Sequence, residues 1–129
     1  LYDQNVMLEG TILKASMVIS GKTCPEQASV EEVAEMTVRC LKSAVPAILP
    51  GIVFLSGGQS DEAATAHLNA MNQMGPHPWP LSFSYGRAMQ AAALKIWSKD
   101  LVGNVAAAQQ TVYARAKDNG LAALGQWKK

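Results

Sequence analysis

The middle of the chain reads Gly51-Ile52-Val53-Phe54-Leu55-Ser56-Gly57-Gly58. Its first five residues form a short apolar run typical of a buried β-strand, and the serine and the two glycines end that run. Ser60 then has the features of an N-cap, because two acidic residues follow it in the first turn of a helix. This segment predicts one strand followed by one helix.

Apolar runs on either side of this segment predict two more strands. Residues 6–13 are mostly apolar and β-forming, which is typical of a strand buried on both faces. Residues 81–85 alternate between large apolar side chains and serines, which predicts a strand with two different faces.

Further helices are predicted between and after these strands. Ser29, with Glu32 three residues later, has the pattern of a capping box, and a proline ends the helix that it begins. An alanine-rich helix is predicted over residues 87–97, after the third strand. A last helix is predicted over residues 104–118, ended by a left-handed cap at Asn119-Gly120.

The resulting order, β-α-β-α-β-α-α, predicts an α/β fold with a parallel sheet. The predicted strand ends lie roughly 30 to 40 residues apart, close to the ~31 residues of one unit in a (β/α)₈ barrel. Residues 1–129 are therefore predicted to form three units of such a barrel, within a single domain.

Charge and composition exclude several classes of protein. The 129 residues include 11 basic and 10 acidic ones, so no broad cationic surface and no nucleic-acid partner are expected. The longest apolar run, residues 45–55, is interrupted by prolines and predicts no membrane span. Cys24 and Cys40 are predicted to be free thiols, His67 a helix-surface residue and His77 a loop residue. No His/Cys cluster has metal-ligand spacing, and neither a metal nor a cofactor is expected.

Lys14 is the first candidate for chemistry, because it closes the first apolar run. Burial at a strand end would favour its neutral amine, which can attack a carbonyl and form a Schiff base. The alternative is an exposed lysine just beyond the strand. Glu9 lies at odd spacing from Lys14, on the opposite face of the predicted strand, and is interpreted as structural.

The loop Ser56, Gly57 and Gly58 is the second candidate, because it joins an apolar strand to a helix N-terminus. Glycines allow a ligand to approach the backbone, and the amides of such a turn can bind an anion. An ordinary strand-to-helix turn is an equal alternative.

The third candidate is the junction that contains Ser84, Gly86 and Arg87. An arginine at a helix start opposes the helix dipole, and an anion shared by its guanidinium and the backbone amides would explain its position. In (β/α)₈ enzymes phosphate frequently binds at the loops after the last two strands. The alternative is a plain surface arginine.

Three motifs together resemble class I fructose-bisphosphate aldolase. Residues 8–14, Leu-Glu-Gly-Thr-Ile-Leu-Lys, resemble the Schiff-base strand of that family. Residues 51–60 resemble its seventh-strand phosphate loop and residues 82–88 its eighth-strand phosphate site, with Asn69-Ala-Met-Asn between them. The resemblance covers almost the whole chain and weakens after about Trp97. Ala15 departs from it, because the family usually has proline there.

The resemblance implies a (β/α)₈ barrel of which this chain supplies about strands six to eight. It implies metal-independent, reversible cleavage of fructose 1,6-bisphosphate to dihydroxyacetone phosphate and glyceraldehyde 3-phosphate, in glycolysis or gluconeogenesis. Lys14 would form the imine, and the two loops would hold a substrate phosphate. It further implies a homotetramer as the full-length protein and a cytoplasmic location, with a glycolytic organelle or a plastid as the alternative.

The sequence also allows two alternatives to this function. The family's acid/base glutamate comes from an earlier strand, so it is expected upstream of Leu1, and the isolated 129 residues are expected to be inactive. The chain could then be a non-catalytic fragment that binds sugar phosphates or partner proteins. Another Schiff-base enzyme, such as transaldolase, shares the lysine chemistry but lacks the paired loop motifs.

Overall fold

A computed structural model describes residues 1–129. Two short 3₁₀ turns, Tyr2–Gln4 and Leu8–Gly10, precede the first strand. The regular elements, in chain order, are β1 Ile12–Ala15, α1 Val30–Ala44, β2 Gly51–Phe54, α2 Asp61–Gln73, β3 Leu81–Phe83, α3 Arg87–Trp97 and α4 Val105–Ala123.

The three strands form one parallel sheet in the order β1-β2-β3. Lys14 is in register with Val53, and Val53 is in register with Ser82. A helix connects each strand to the next. The predicted parallel α/β fold is confirmed.

The two faces of the sheet have different environments. Ile52, Phe54 and Leu81 belong to the main hydrophobic core, together with residues of the surrounding helices. On the opposite face Ile12 is 63% exposed and Lys14 is also exposed. Three strands therefore bury only one of their faces, which is the face toward the helices.

The prediction of a doubly buried strand over residues 6–13 is wrong. Residues Leu8–Gly10 form a 3₁₀ turn, which Thr11 closes through its backbone N–H to the Leu8 carbonyl and its hydroxyl to the Met7 carbonyl. The strand begins only at Ile12 and lies at the edge of the sheet. Lys14 consequently lies within β1 rather than after it.

The starts of the first two long helices are confirmed. The Ser29 hydroxyl accepts a hydrogen bond from the Glu32 amide at 3.1 Å, and the Ser60 hydroxyl accepts one from the Ala63 amide at 3.1 Å. Each bond satisfies one amide that the first helical turn would leave free. Helix α3 occupies residues 87–97, as predicted.

The predicted end of the last helix at Asn119-Gly120 is wrong, because α4 continues to Ala123. Asn119 is fully buried and its side chain makes tertiary contacts that keep it in the helix. Its amide oxygen accepts a hydrogen bond from the Thr65 hydroxyl at 2.8 Å, and its amide nitrogen donates to the Arg115 carbonyl. The left-handed residue is Gly125, with φ of 68°.

Candidate active site

The structure brings Lys14 and Ser84 into contact. The Lys14 ammonium donates a hydrogen bond to the Ser84 hydroxyl at 3.2 Å, although 70 residues separate the two in sequence. Lys14 lies on β1 and Ser84 immediately follows β3, and both are on the uncovered face of the sheet. The expectation that Lys14 is buried is wrong for this chain, because no element covers that face.

The loop after β2 is a tight turn. The Gln59 amide donates to the Ser56 carbonyl at 3.0 Å, and the two residues between them have positive φ, 60° at Gly57 and 82° at Gly58. L side chains are strained at such angles, which explains the glycine pair. Ser56 is buried, whereas both glycines are exposed. The turn therefore offers exposed backbone at the carboxyl edge of the sheet.

The loop after β3 combines a buried anchor with an exposed cation. The Ser84 amide donates to the Phe54 carbonyl at 2.8 Å, which extends the pairing with β2 beyond the end of β3. The buried Tyr85 hydroxyl donates to the Ala64 carbonyl at 2.9 Å, and burial raises the pKa of the Tyr85 phenol, against a smaller lowering by Arg115. Gly86 precedes α3 without a side-chain cap, and Arg87 is exposed and forms no salt bridge.

The two loops therefore end at the same edge of the sheet, with Lys14 on the uncovered face beside Ser84. No hydrogen bond joins Ser56, Gly57 or Gly58 to Arg87. These residues together present the amine of Lys14, the exposed backbone amides of the turn and the unpaired guanidinium of Arg87. Such a set suits an anionic carbonyl compound.

Gln59 and His67 support the first loop, and sequence reasoning did not find this role. The Gln59 amide nitrogen donates to the Ser56 carbonyl at 2.9 Å, and its amide oxygen lies 2.6 Å from Nδ1 of His67. Because the Gln59 oxygen can only accept, His67 carries a proton on Nδ1. His67 is 7% exposed, so its assignment to the helix surface is wrong. No local sequence signal marks this contact, which joins a loop residue to the next helix.

We expect the stability of the protein to fall as the pH is lowered through the titration of His67. Burial lowers the pKa of His67 below 6.5, and the carboxylate of Glu31 only partly opposes this shift. Between the lowered pKa and 6.5 the unfolded chain binds more protons than the folded one, so the free energy of unfolding decreases with falling pH. Below the lowered pKa both states are protonated, and the stability that the neutral, buried His67 provides at higher pH is lost completely.

Urea unfolding of the wild type and of His67→Asn between pH 8 and pH 5 measures this effect. Asparagine keeps an amide nitrogen on Cγ, where Nδ1 of histidine is attached, but it does not titrate. We expect a flatter pH dependence for the variant. Identical pH dependence in the two proteins would contradict the assignment.

An apolar cavity between α3 and α4 contains none of the predicted site residues. It has a volume of about 550 Å³ and is lined mostly by apolar side chains, including Trp97 and Tyr113. A second cavity of about 390 Å³ includes Gly57, Gly58 and His67. Of the predicted site residues, Gly57 and Gly58 line the second cavity, whereas Lys14, Ser84 and Arg87 line neither of the two.

Comparison with known proteins identifies the family. The family model of fructose-bisphosphate aldolase class-I matches residues 1–129. The chain belongs to the class I fructose-bisphosphate aldolase family. The predicted family is thus confirmed over the whole chain.

Individual aldolases agree with this result. The chain is 80% identical over 128 residues to a probable fructose-bisphosphate aldolase class 1 of Xanthomonas campestris, covering 99% of this chain and 38% of that protein. It is 57% identical over 127 residues to fructose-bisphosphate aldolase 1 of Toxoplasma gondii, covering 98% of this chain and 35% of the relative.

A solved aldolase structure confirms the fold. The Plasmodium falciparum fructose-bisphosphate aldolase, solved in complex with TRAP and a small-molecule inhibitor, superposes with a TM-score of 0.92 and 48% identity, covering 97% of this chain and 36% of that one. The three β/α units are consistent with part of a (β/α)₈ barrel, as predicted. The chain spans between about a third and two fifths of the length of the aldolases that it matches.

Proposed function

We propose that this protein reversibly cleaves fructose 1,6-bisphosphate to dihydroxyacetone phosphate and glyceraldehyde 3-phosphate, with Lys14 as the Schiff-base lysine. The hydrogen bond between the Lys14 ammonium and Ser84 is the observation that supports this most directly. It places the amine beside the Arg87 loop, where a phosphate-bearing carbonyl compound could contact both. Family membership supports the same reaction.

The lysine amine supplies the electron sink for the cleavage. In its neutral form it attacks the keto carbon, a carbon–nitrogen bond forms, and the carbonyl oxygen leaves as water after protonation. The C4 hydroxyl gives its proton to a general base that we propose to come from an earlier strand, and the carbon–carbon bond breaks. Its electron pair moves to the iminium nitrogen, giving an enamine and releasing the aldehyde. Protonation of the enamine carbon and hydrolysis release dihydroxyacetone phosphate and regenerate Lys14. We assign no proton-transfer residue within residues 1–129, because the resemblance implies that it comes from an earlier strand; Glu9 lies in the 3₁₀ turn before β1 and is not given that role.

We further propose that one substrate phosphate binds between the two loops. Ser56, Gly57 and Gly58 would bind it from one side, and Ser84, Gly86 and Arg87 from the other. The unpaired Arg87 guanidinium and the uncapped N-terminus of α3 support an anion here. Anchoring the phosphate would hold the keto carbon near the amine, which is the positional contribution that catalysis requires.

Reductive trapping tests the proposal. The full-length gene product is treated with dihydroxyacetone phosphate and borohydride, which reduces an imine to a stable secondary amine, and its peptides are then mapped by mass spectrometry. We expect the adduct on Lys14 and none on Lys42, an exposed lysine in the last turn of α1. An adduct mainly on another lysine would overturn the assignment.

We propose that residues 1–129 are the C-terminal part of a single (β/α)₈ domain, with residues from earlier strands completing the site. Ile12 is 63% exposed on the uncovered face of the sheet, and the chain covers 38% of the Xanthomonas campestris relative, which supports this view. A non-catalytic chain that binds sugar phosphates or partner proteins is the second candidate function.

The isolated 129-residue chain separates these two views. We expect it to cleave fructose 1,6-bisphosphate at less than about one hundredth of the rate of the full-length gene product, because the groups that position and protonate the substrate are missing. A coupled assay for glyceraldehyde 3-phosphate measures both rates. Comparable turnover by the isolated chain would show that it contains a complete active site.

The remaining proposals rest on the family and on the charge balance and apolar pattern of the sequence. We propose that the full-length protein is a cytoplasmic homotetramer that uses no cofactor and binds neither nucleic acid nor membranes. Sedimentation velocity of the full-length protein tests the tetramer. Within the described chain, no helix has the length and apolar character needed to cross a membrane.

A further inference from the structure

We propose that Arg115, on α4, is a positioning residue that sets the spacing between the two phosphate-binding loops. The proposal rests on the function proposed above, since it concerns the same phosphate site. Nη2 of Arg115 donates hydrogen bonds to the Asp61 carbonyl and the Thr65 hydroxyl, each at 2.7 Å. Its Nε donates to the Ala88 carbonyl at 3.1 Å.

These partners belong to the helices that follow the two loops. Asp61 is the first residue of α2, which begins shortly after the Ser56 turn, and Ala88 is the second residue of α3, which begins immediately after Gly86. One guanidinium therefore holds the first turns of both helices. Because hydrogen-bonded helices are stiff, a change in the distance between the loops would have to break or stretch these bonds.

The surroundings of Arg115 favour a positioning role over a role as a surface charge. Its side chain is only 11% exposed, and its one carboxylate neighbour, Asp118, lies at 3.7 Å and is 40% exposed. Asn119, one turn further along α4, accepts a hydrogen bond from the same Thr65 hydroxyl. The planar guanidinium directs its donors along fixed vectors, whereas a lysine ammonium could not bond to both helices in the same way.

The consequence concerns phosphate binding in particular. A phosphate held from both sides needs both loops within hydrogen-bonding distance, and a displacement of about 1 Å can cost ~100-fold in rate. The Lys14 amine lies on β1, which Arg115 does not contact. Loss of Arg115 should therefore weaken reactions of phosphate-bearing substrates while sparing the intrinsic reactivity of the amine.

The test compares two carbonyl compounds that differ only in the phosphate. In the full-length gene product, the second-order rate of borohydride-trapped imine formation on Lys14 is measured with dihydroxyacetone phosphate and with dihydroxyacetone. For Arg115→Met we expect a ~10- to 100-fold loss with the phosphorylated compound and a change below ~3-fold with dihydroxyacetone. The matched control is Arg39→Met, which removes an exposed arginine of α1 and should change neither rate.

The outcomes are distinguishable. Equal losses with both compounds would show a general structural role and overturn the proposal, as would unchanged rates with both. If Arg115→Met does not fold, Arg115→Lys keeps the charge and much of the stem packing, and it must show the same selective loss. If the wild-type protein forms no imine on Lys14, the proposed function fails, and that result is separate from any effect of Arg115.

Discussion

Replacement of Lys14 by methionine in the full-length gene product is expected to lower kcat for cleavage of fructose 1,6-bisphosphate by at least about 1,000-fold, because none of the other proposed site residues of this chain carries an amine that could form the covalent imine. Methionine has a similar length and fits the exposed position on β1. The free energy of unfolding of the 129-residue chain should change little, since only a solvent-exposed hydrogen bond to Ser84 is lost.

Two further variants make this result specific. Lys14→Arg keeps a positive charge but cannot form the imine, so it should be as inactive as Lys14→Met. Lys42→Met removes an exposed lysine of α1 and should retain wild-type kcat. Steady-state kinetics and circular dichroism on all three proteins would decide the matter. Substantial activity in Lys14→Arg would indicate that the lysine acts through its charge and would contradict the Schiff-base role.

Replacement of Phe54 by alanine is expected to reduce the free energy of unfolding by about 3–5 kcal/mol. Phe54 is fully buried on the helix-facing side of β2, so its removal leaves a cavity that the surrounding strands and helices can only partly fill. This is a large fraction of the ~5–15 kcal/mol that stabilises a typical domain. The Phe54 carbonyl also accepts a hydrogen bond from the Ser84 amide, so a shift of β2 would also move the loop after β3.

Urea unfolding followed by tryptophan fluorescence measures the effect of Phe54→Ala. Val102→Ala is the matched control, because Val102 is 87% exposed and its truncation should change stability by less than about 0.5 kcal/mol. Phe54→Leu, which keeps most of the volume, should fall between these values. A loss below about 1.5 kcal/mol for Phe54→Ala would contradict the placement of Phe54 in the core.

Elements with local signals were predictable from the chain alone. Ser29 and Ser60 begin helices because their hydroxyls accept hydrogen bonds from amides only three residues away. Strand β2 was predictable because an apolar run is bounded by a turn on each side. The Gly57-Gly58 pair indicated the second turn, because glycine readily adopts the positive φ angles that L side chains resist. One of the three family motifs, residues 51–60, lies in these same segments.

Residue order alone established the parallel α/β fold, the helix starts, the glycine turn and the family, because each depends on neighbours in sequence or on recognisable motifs. Tertiary structure decided the start of β1, the length of α4 and the assembly of the site. Asn119 stays helical through a contact with Thr65, 54 residues away, and Lys14 meets Ser84 across 70 residues. Such contacts arise only when the sheet and helices pack, and no periodicity within a short segment encodes them.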